Sequence, residues 1–230
     1  MTEDRYSRTI KLVGEDGLSR LKDASVIIIG NGGVGSYAAE ACTRAGIGHL
    51  TFMDGDVVAE SNLNRQLVAL TSTIGRNKAE VMGERAADIS PDAEITVLPR
   101  FYTTDDELDL TQYDWVIDAI DDVDAKTALI CKAVGLGVNI ISAMGAAGKF
   151  GTDFKAADLA KTSVCPLARV MRKRLRDRGI EHLPVVYSEE KPVPRDGVLG
   201  TLSYVPGSAG LTLAGYVIKQ IACAEDSGQN

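Results

Sequence analysis

Val26 to Gly35 reads VIIIGNGGVG. Four β-branched residues run into Gly30 without a polar interruption, the pattern of a strand buried on both faces of a parallel sheet. The glycines then fall as Gly30-x-Gly32-x-x-Gly35, with Gly33 as an extra, and a helical pattern follows from Ser36 to Ala45. Strand, glycine turn and helix together make an anion cradle. Glycines let the backbone approach a phosphate, and the N–H groups at the helix start point at it. A glycine fingerprint alone is a weak signal; its flanks give it weight.

Outward from this stretch the same alternation repeats. His49–Asp54 (HLTFMD) is a second strand ending in an acid, 19 residues beyond Gly35 and near the position where an acid can bind a ribose. Residues 55–75 form a long polar connection with short helical turns, of a length that suggests function. A helix is expected over Lys78–Ile89, strands over Ile95–Leu98 and Asp114–Ala119, a helix over Ala125–Gly135 and a strand over Asn139–Ala143. Leu12, Leu18 and Leu21 fit helical turns packing on the sheet edge before the first strand. The pattern predicts an α/β chain with a doubly wound, Rossmann-like, mostly parallel sheet. Beyond Met144 it predicts a basic helix over Pro166–Gly179, a short strand over Val185–Ser188, a mobile loop over Lys191–Gly200 and an apolar helix over Leu211–Ile221. The tail from Glu225 reads as polar and disordered.

Composition narrows the class. The 230 residues are 45% hydrophobic and 25% charged, with a net charge of −7, ordinary for a globular protein and no advertisement of nucleic-acid binding by the surface as a whole. The start, MTEDRYSR, has no apolar signal core, and Gly210–Ile218 is too short to span a bilayer. Cys42, Cys131, Cys165 and Cys223 form no CxxC pair, which argues against a four-thiolate zinc site. A soluble chain in the reducing cytoplasm is expected.

Several polar residues converge where the strands end. Asp54-x-Asp56 closes the second strand, Asn62-x-x-Arg65-Gln66 follows, then Lys78, then Asp121-Asp122 after DWVIDA. In an open α/β sheet these ends face one crevice, which here gains a ribose acceptor, two cations and an acid able to hold Mg²⁺. Each residue alone is compatible with an ordinary solvated charge; their order beside the glycine loop favours a nucleotide.

These motifs resemble the adenylating enzymes of ubiquitin-activating (E1-like) type, from RYSRTIKL at residues 5–12 through GNGGVG, DGDVVAESNLNRQ, IGRNKAE and DAIDD. The resemblance implies ATP and Mg²⁺ as cofactors. It implies Asp54 at the ribose; Asn62, Arg65 and Lys78 at the phosphates; Asp56 and Gln66 as further cofactor-binding residues; Asp121 on Mg²⁺; and Arg8 reaching the phosphates from the neighbouring subunit of a homodimer. The second half, including SAMGAAGKFGTDFKAADLAKTSVCPLARVMRKRLRDRGI and GTLSYVPGSAGLTLAGYVI, is similar to the branch that dehydrates threonylcarbamoyladenosine in tRNA to a cyclic form. Residues 1–145 would then be the adenylation core and 146–224 a substrate-binding and dimerisation extension continuous with it. Cys165-Pro166 departs from the Asp-Pro of some members. An alternative within the family is activation of the C-terminus of a ubiquitin-like sulfur carrier, with a sulfur-transfer partner; Cys165 would be its candidate thiol, whereas cyclisation supplies its own nucleophile and leaves Cys165 a structural role. A nicotinamide oxidoreductase would leave Arg65, Lys78 and Asp121 without a role.

Residues 161–178 carry seven basic residues against Asp177, a local +6 that leaves −13 on the rest. Arg169, Arg172, Lys173 and Arg176 fall at i, i+3, i+4 and i+7, on one helix face, with Leu167, Val170, Met171 and Leu175 opposite. Such a stripe on an acidic chain suits a tRNA phosphate backbone. His49 and His182 are not expected to act as bases.

Overall fold

The computed structural model describes residues 5–224. Seven strands form one sheet in the order β3-β2-β1-β4-β5-β7-β6. They are β1 (Ser25–Ile29), β2 (His49–Met53), β3 (Glu94–Leu98), β4 (Trp115–Asp118), β5 (Asn139–Ala143), β6 (Lys155–Asp158) and β7 (Pro184–Tyr187). All pairings are parallel except β6 with β7 at the edge. Among the described residues six α-helices accompany them: α1 (Ser7–Asp23), α2 (Gly35–Ala45), α3 (Lys78–Ile89), α4 (Val123–Leu136), α5 (Pro166–Arg176) and α6 (Tyr204–Ala222).

The β1 run is buried on both faces, as its composition requires. Val26 and Ile28 face a core shared with α2, α3 and α6. Ile27 and Ile29 face a second core shared with α4 and α5. Consecutive strands move outward on one side of β1 and then restart at β4 on the other, so β1 and β4 flank the switch point where such sheets open a crevice.

The ends of several elements follow local chemistry. Asn77 caps α3, its Oδ1 accepting from the amides of Ala79 and Glu80. Asp122 does the same for α4 from Asp124 and Ala125. Gly46 closes α2 in the left-handed region at φ 96°. The 55–75 connection does contain two short 3₁₀ turns, Glu60–Asn62 and Thr71–Thr73.

Two expectations are corrected and one strand is added. Leu12 is 87% exposed, because α1 breaks at Gly14 (φ 75°) and only its second half buries Leu18 and Leu21. The last helix starts at Tyr204 rather than Leu211; Pro206 sits in its first turn, where no amide donor is needed. The strand β6, Lys155-Ala-Ala-Asp158, has too little hydrophobic alternation to be legible in the sequence and exists by pairing with β7. The tail expected to be disordered lies outside the described residues.

Candidate nucleotide site

A cavity of about 960 Å³ opens at the carboxyl ends of β1, β2, β4 and β5. Its first wall is the glycine loop. Gly30 sits at φ 90°, and a Cβ there would lie 2.7 Å from Ala119 O; a Cβ on Gly35 would lie 1.7 Å from Gly30 O. Both glycines are therefore demanded by backbone packing. Gly32 differs: its nearest neighbour would be Gln66 Nε2 at 3.8 Å. Gly33 faces Pro206 of α6.

Asp54 leaves β2 buried. Its Oδ2 accepts from the Asn31 amide at 2.6 Å and its Oδ1 from the Asp56 amide at 2.8 Å. Burial pushes its carboxyl above the usual carboxylate range, against the pull of these two amides and of Lys78. Lys78 opens α3 almost fully buried and donates to Asp56 Oδ2 at 2.8 Å. Asp56 thus holds the lysine in place.

Asn62 Oδ1 accepts from the Ala59 amide at 3.0 Å, tightening its 3₁₀ turn. Arg65 lies on the cavity wall, tethered through Nη1 to Ser61 O and Asn64 Oδ1, both at 2.9 Å. Gln66 is buried and its Oε1 has no hydrogen-bond partner; Asn31 Oδ1, beneath the loop, is likewise unpartnered. Buried acceptors of this kind need a donor to be satisfied. Asp121 stands exposed at the exit of β4 on the cavity wall. Among the described residues no group of three or more His, Cys, Asp or Glu side chains is arranged to hold a metal by itself. A single carboxylate beside a triphosphate nevertheless fits Mg²⁺, which takes one or two carboxylates plus phosphate oxygens.

The structure brings together Gly30, Gly32, Gly33, Asp54, Asp56, Asn62, Arg65, Gln66, Lys78 and Asp121 on one cavity. Gly35 stands behind it at the start of α2. Arg8 is not brought in. It sits on α1 near Tyr6, whose hydroxyl bonds Ser90 Oγ and whose ring meets Gly46, at the amino ends of the strands.

Several lining residues had no distinctive sequence signal. Phe101 to Thr104, after β3, form a wall beside Asp54. Met144 to Ala147, after β5, extend the cavity toward Lys149 and Cys165. Lys149 is buried, donates to Ser188 O at 3.1 Å and Glu190 O at 2.7 Å, and burial lowers its pKa. Cys165 is 2% exposed on the same wall. A lysine at a Gly-Lys-Phe turn and an alanine-rich strand exit look like ordinary loop until the fold stacks them.

On α5 the stripe is narrower than its spacing suggests. Arg169, Lys173 and Arg176 are exposed, but Arg172 turns inward, its Nη1 donating to Leu159 O at 3.1 Å, Thr162 O at 2.7 Å and Thr162 Oγ1 at 2.5 Å. Leu159 O also accepts from the Thr162 amide at 3.2 Å and from Thr162 Oγ1 at 2.7 Å, so the guanidinium adds its bonds to a turn already closed before α5. The packed face is Ala168, Met171 and Leu175; Val170, expected there, is 43% exposed. Arg174 pairs with Asp124. His49 and His182 each face a carboxylate, Glu94 and Asp158, but neither lines the cavity.

A sequence profile of the ThiF family matches residues 6–229. The chain belongs to the ThiF family. This ThiF-family chain is 37% identical to the tRNA threonylcarbamoyladenosine dehydratase of Bacillus subtilis, over 94% of both proteins. It is 42% identical to the Escherichia coli enzyme of the same name over 76% of this chain and 67% of that relative. The crystal structure of E. coli tRNA N6-threonylcarbamoyladenosine dehydratase, TcdA, in complex with ATP superposes with a TM-score of 0.90 at 37% identity, over 97% of this chain and 96% of that one. The doubly wound fold of the two is shared. Among the described residues no helix is long and apolar enough to cross a membrane.

Proposed function

We propose that this ThiF-family chain is an ATP-dependent dehydratase that adenylates the carboxylate of threonylcarbamoyladenosine in tRNA and lets it cyclise. The observation that carries this reading is the single cavity running from the glycine loop past Asp121 to Met144, Lys149 and Cys165, which offers room for a nucleotide and an acceptor together. The similarity to the B. subtilis dehydratase supports it, because it spans both the nucleotide half and the acceptor half of the chain.

A carboxylate is a poor electrophile, since its leaving group would be oxide. Attack of its oxygen on the α-phosphorus of ATP releases pyrophosphate and makes an acyl adenylate, whose leaving group is AMP. The substrate's own side-chain nitrogen then closes on the activated carbonyl; the C–O bond to AMP breaks, and the nitrogen loses its proton. The net change is loss of water coupled to ATP cleavage, and no enzyme nucleophile is needed. In this scheme Asp54 accepts from the ribose, the glycine loop and Asn62 donate to phosphates, and Gln66 presents its unpartnered carbonyl to the nucleotide. Lys78 and Arg65 neutralise the triphosphate as charge moves to pyrophosphate. Asp121 would hold Mg²⁺, which supplies further charge neutralisation when bound. Arg169, Lys173 and Arg176 would track tRNA phosphates; Arg172 is reassigned to structure.

Arg8 lies at the far end of the strands, so its action on phosphates requires a second copy of the chain, and a homodimer is part of the proposal. Arg8→Ala and Lys78→Ala chains, inactive alone, then regain turnover when mixed into heterodimers. We place the protein in the cytoplasm, where tRNA and reducing conditions for its free cysteines meet. The sulfur-carrier reading shares every nucleotide residue and would call on Cys165 and a sulfur-transfer partner. The deciding experiment is mass spectrometry of tRNA nucleosides after incubation with enzyme and ATP. Loss of one water from threonylcarbamoyladenosine supports the proposal; activation of a Gly-Gly carrier without any change in tRNA overturns it.

A further inference from the structure

Beneath the cavity floor lies a charged cluster with no solvent contact. Asp118, the last residue of β4, and Lys126, on the second turn of α4, are both 0% exposed. Lys126 Nζ donates to Asp118 Oδ2 at 2.8 Å and to Ser142 Oγ of β5 at 3.1 Å; Ser142 Oγ donates to Asp118 Oδ2 at 2.6 Å. The other carboxylate oxygen, Asp118 Oδ1, turns upward and accepts from the Ile120 amide at 3.1 Å. Ile120 is the residue before Asp121. The same turn is pressed from the other side, because Ala119 O lies against Gly30, where a Cβ would come within 2.7 Å.

A buried ion pair is a poor source of stability, since desolvating two charges offsets most of their attraction. Hydrophobic residues would fill this space as well. What apolar residues would not supply is the acceptor for the Ile120 amide, and with it a fixed height and angle for the Asp121 carboxylate. We propose that Asp118 is a positioning residue for Asp121, with Lys126 and Ser142 orienting its carboxylate so that Oδ1 stays on the Ile120 amide. The cluster ties β4, β5 and α4 together at the point where each delivers a cavity residue. This inference rests on the reading of Asp121 as the carboxylate beside the triphosphate.

Two double variants separate positioning from packing. Asp118→Leu/Lys126→Met removes both charges together and the acceptor with them. Asp118→Asn/Lys126→Met also removes both charges, but Asn keeps Oδ1 for the Ile120 amide and offers Nδ2 to Ser142 Oγ. Each is measured for kcat and KM on tRNA bearing threonylcarbamoyladenosine and for hydrogen exchange of the Ile120 amide. Asp118→Leu/Lys126→Met is expected to lose at least about tenfold in kcat with KM within about threefold, since misplacement of a reacting group acts on the transition state. Its Ile120 amide exchanges faster than in wild type. Asp118→Asn/Lys126→Met keeps wild-type exchange at Ile120 and kcat within about threefold, although the ion pair is gone. A wild-type kcat in the folded Leu/Met variant overturns the proposal. So does a tenfold loss in the folded Asn/Met variant, a test that stands even when Leu/Met does not fold. Wild-type enzyme that leaves the modified tRNA unchanged refutes the dehydratase reading instead, and the Ile120 exchange pattern then decides the positioning role alone.

Discussion

Alanine at Gly32 and at Gly35 should fail for different reasons. At Gly35 the new methyl would stand 1.7 Å from Gly30 O and 2.8 Å from Gly30 carbonyl carbon, both backbone atoms that no rotamer change can move. An ordinary C···O contact is about 3.3 Å, so loop and helix must part by roughly 1.6 Å. Overpacking of this kind costs up to about 3 kcal/mol, and in a chain of this size each kcal/mol lowers Tm by about 2–4 °C. Gly35→Ala should therefore melt below wild type by up to about 12 °C in the absence of any nucleotide. At Gly32 the methyl meets only Gln66 Nε2 at 3.8 Å, and φ there is not in the left-handed region. Gly32→Ala should melt within about 2–3 °C of wild type. Yet on the proposed nucleotide reading its methyl would stand where a phosphate oxygen approaches the backbone, so ATP affinity should fall at least about tenfold, or about 1.4 kcal/mol. Thermal unfolding without nucleotide and equilibrium ATP binding, run on both variants, read the two effects separately. Gly32→Ala binding ATP like wild type would refute the phosphate cradle, and Gly35→Ala melting like wild type would refute the packing argument.

Lys78→Ala and Asp121→Ala should each lower kcat by about 10²–10³-fold while leaving the fold intact by circular dichroism; wild-type turnover in both would remove them from the site. On α5, Arg169→Glu/Lys173→Glu should weaken tRNA binding and flatten its salt dependence, because fewer counterions are released, whereas an unchanged salt slope would make this an ordinary solvated face. Arg172→Ala should instead lower Tm with little change in salt slope, since its guanidinium serves the Leu159 and Thr162 carbonyls. The Phe150 and Gly151 amides hold the Glu190 carboxyl below its ordinary value of 4.5. Its folded pKa is depressed, so its stabilising effect is complete above 4.5 and fades as pH falls through the folded value. Wild type should then melt above Glu190→Gln near neutrality and converge with it at acid pH; a constant gap would contradict the assignment.

What the sequence discloses depends on how locally each feature is encoded. The β1–glycine–α2 unit is legible because strand, turn and helix follow one another and their chemistry is contiguous. Asp54 and Asp121 are legible because strand ends converge in any sheet of this class, and Lys78 because it opens the helix that follows the long connection. Arg172 misleads because helical spacing gives angle but not depth: it lies at the border between the exposed cations and the packed face, and nearby carbonyls draw it in. Asp118 and Lys126 are hidden for the opposite reason. A charge inside DWVIDA and another inside a helix look solvated until β5 brings Ser142 between them. Lys149 reaches the cavity wall only through carbonyls at Ser188 and Glu190, some forty residues away.

The last helix touches the first functional turn. Pro206 of α6 lies against Gly33, and Gly210 packs so closely on α2 that a Cβ there would sit 2.2 Å from Val34 O. During synthesis the glycine loop leaves the ribosome before α6, which forms its outer wall and lies far downstream in the chain. The nascent chain therefore carries an unfinished cradle, with the apolar flank of α2 uncovered, until residues 204–222 dock. Closing that long-range contact makes the nucleotide cradle depend on residues 204–222, and it places their docking next to the ligand that would lock it.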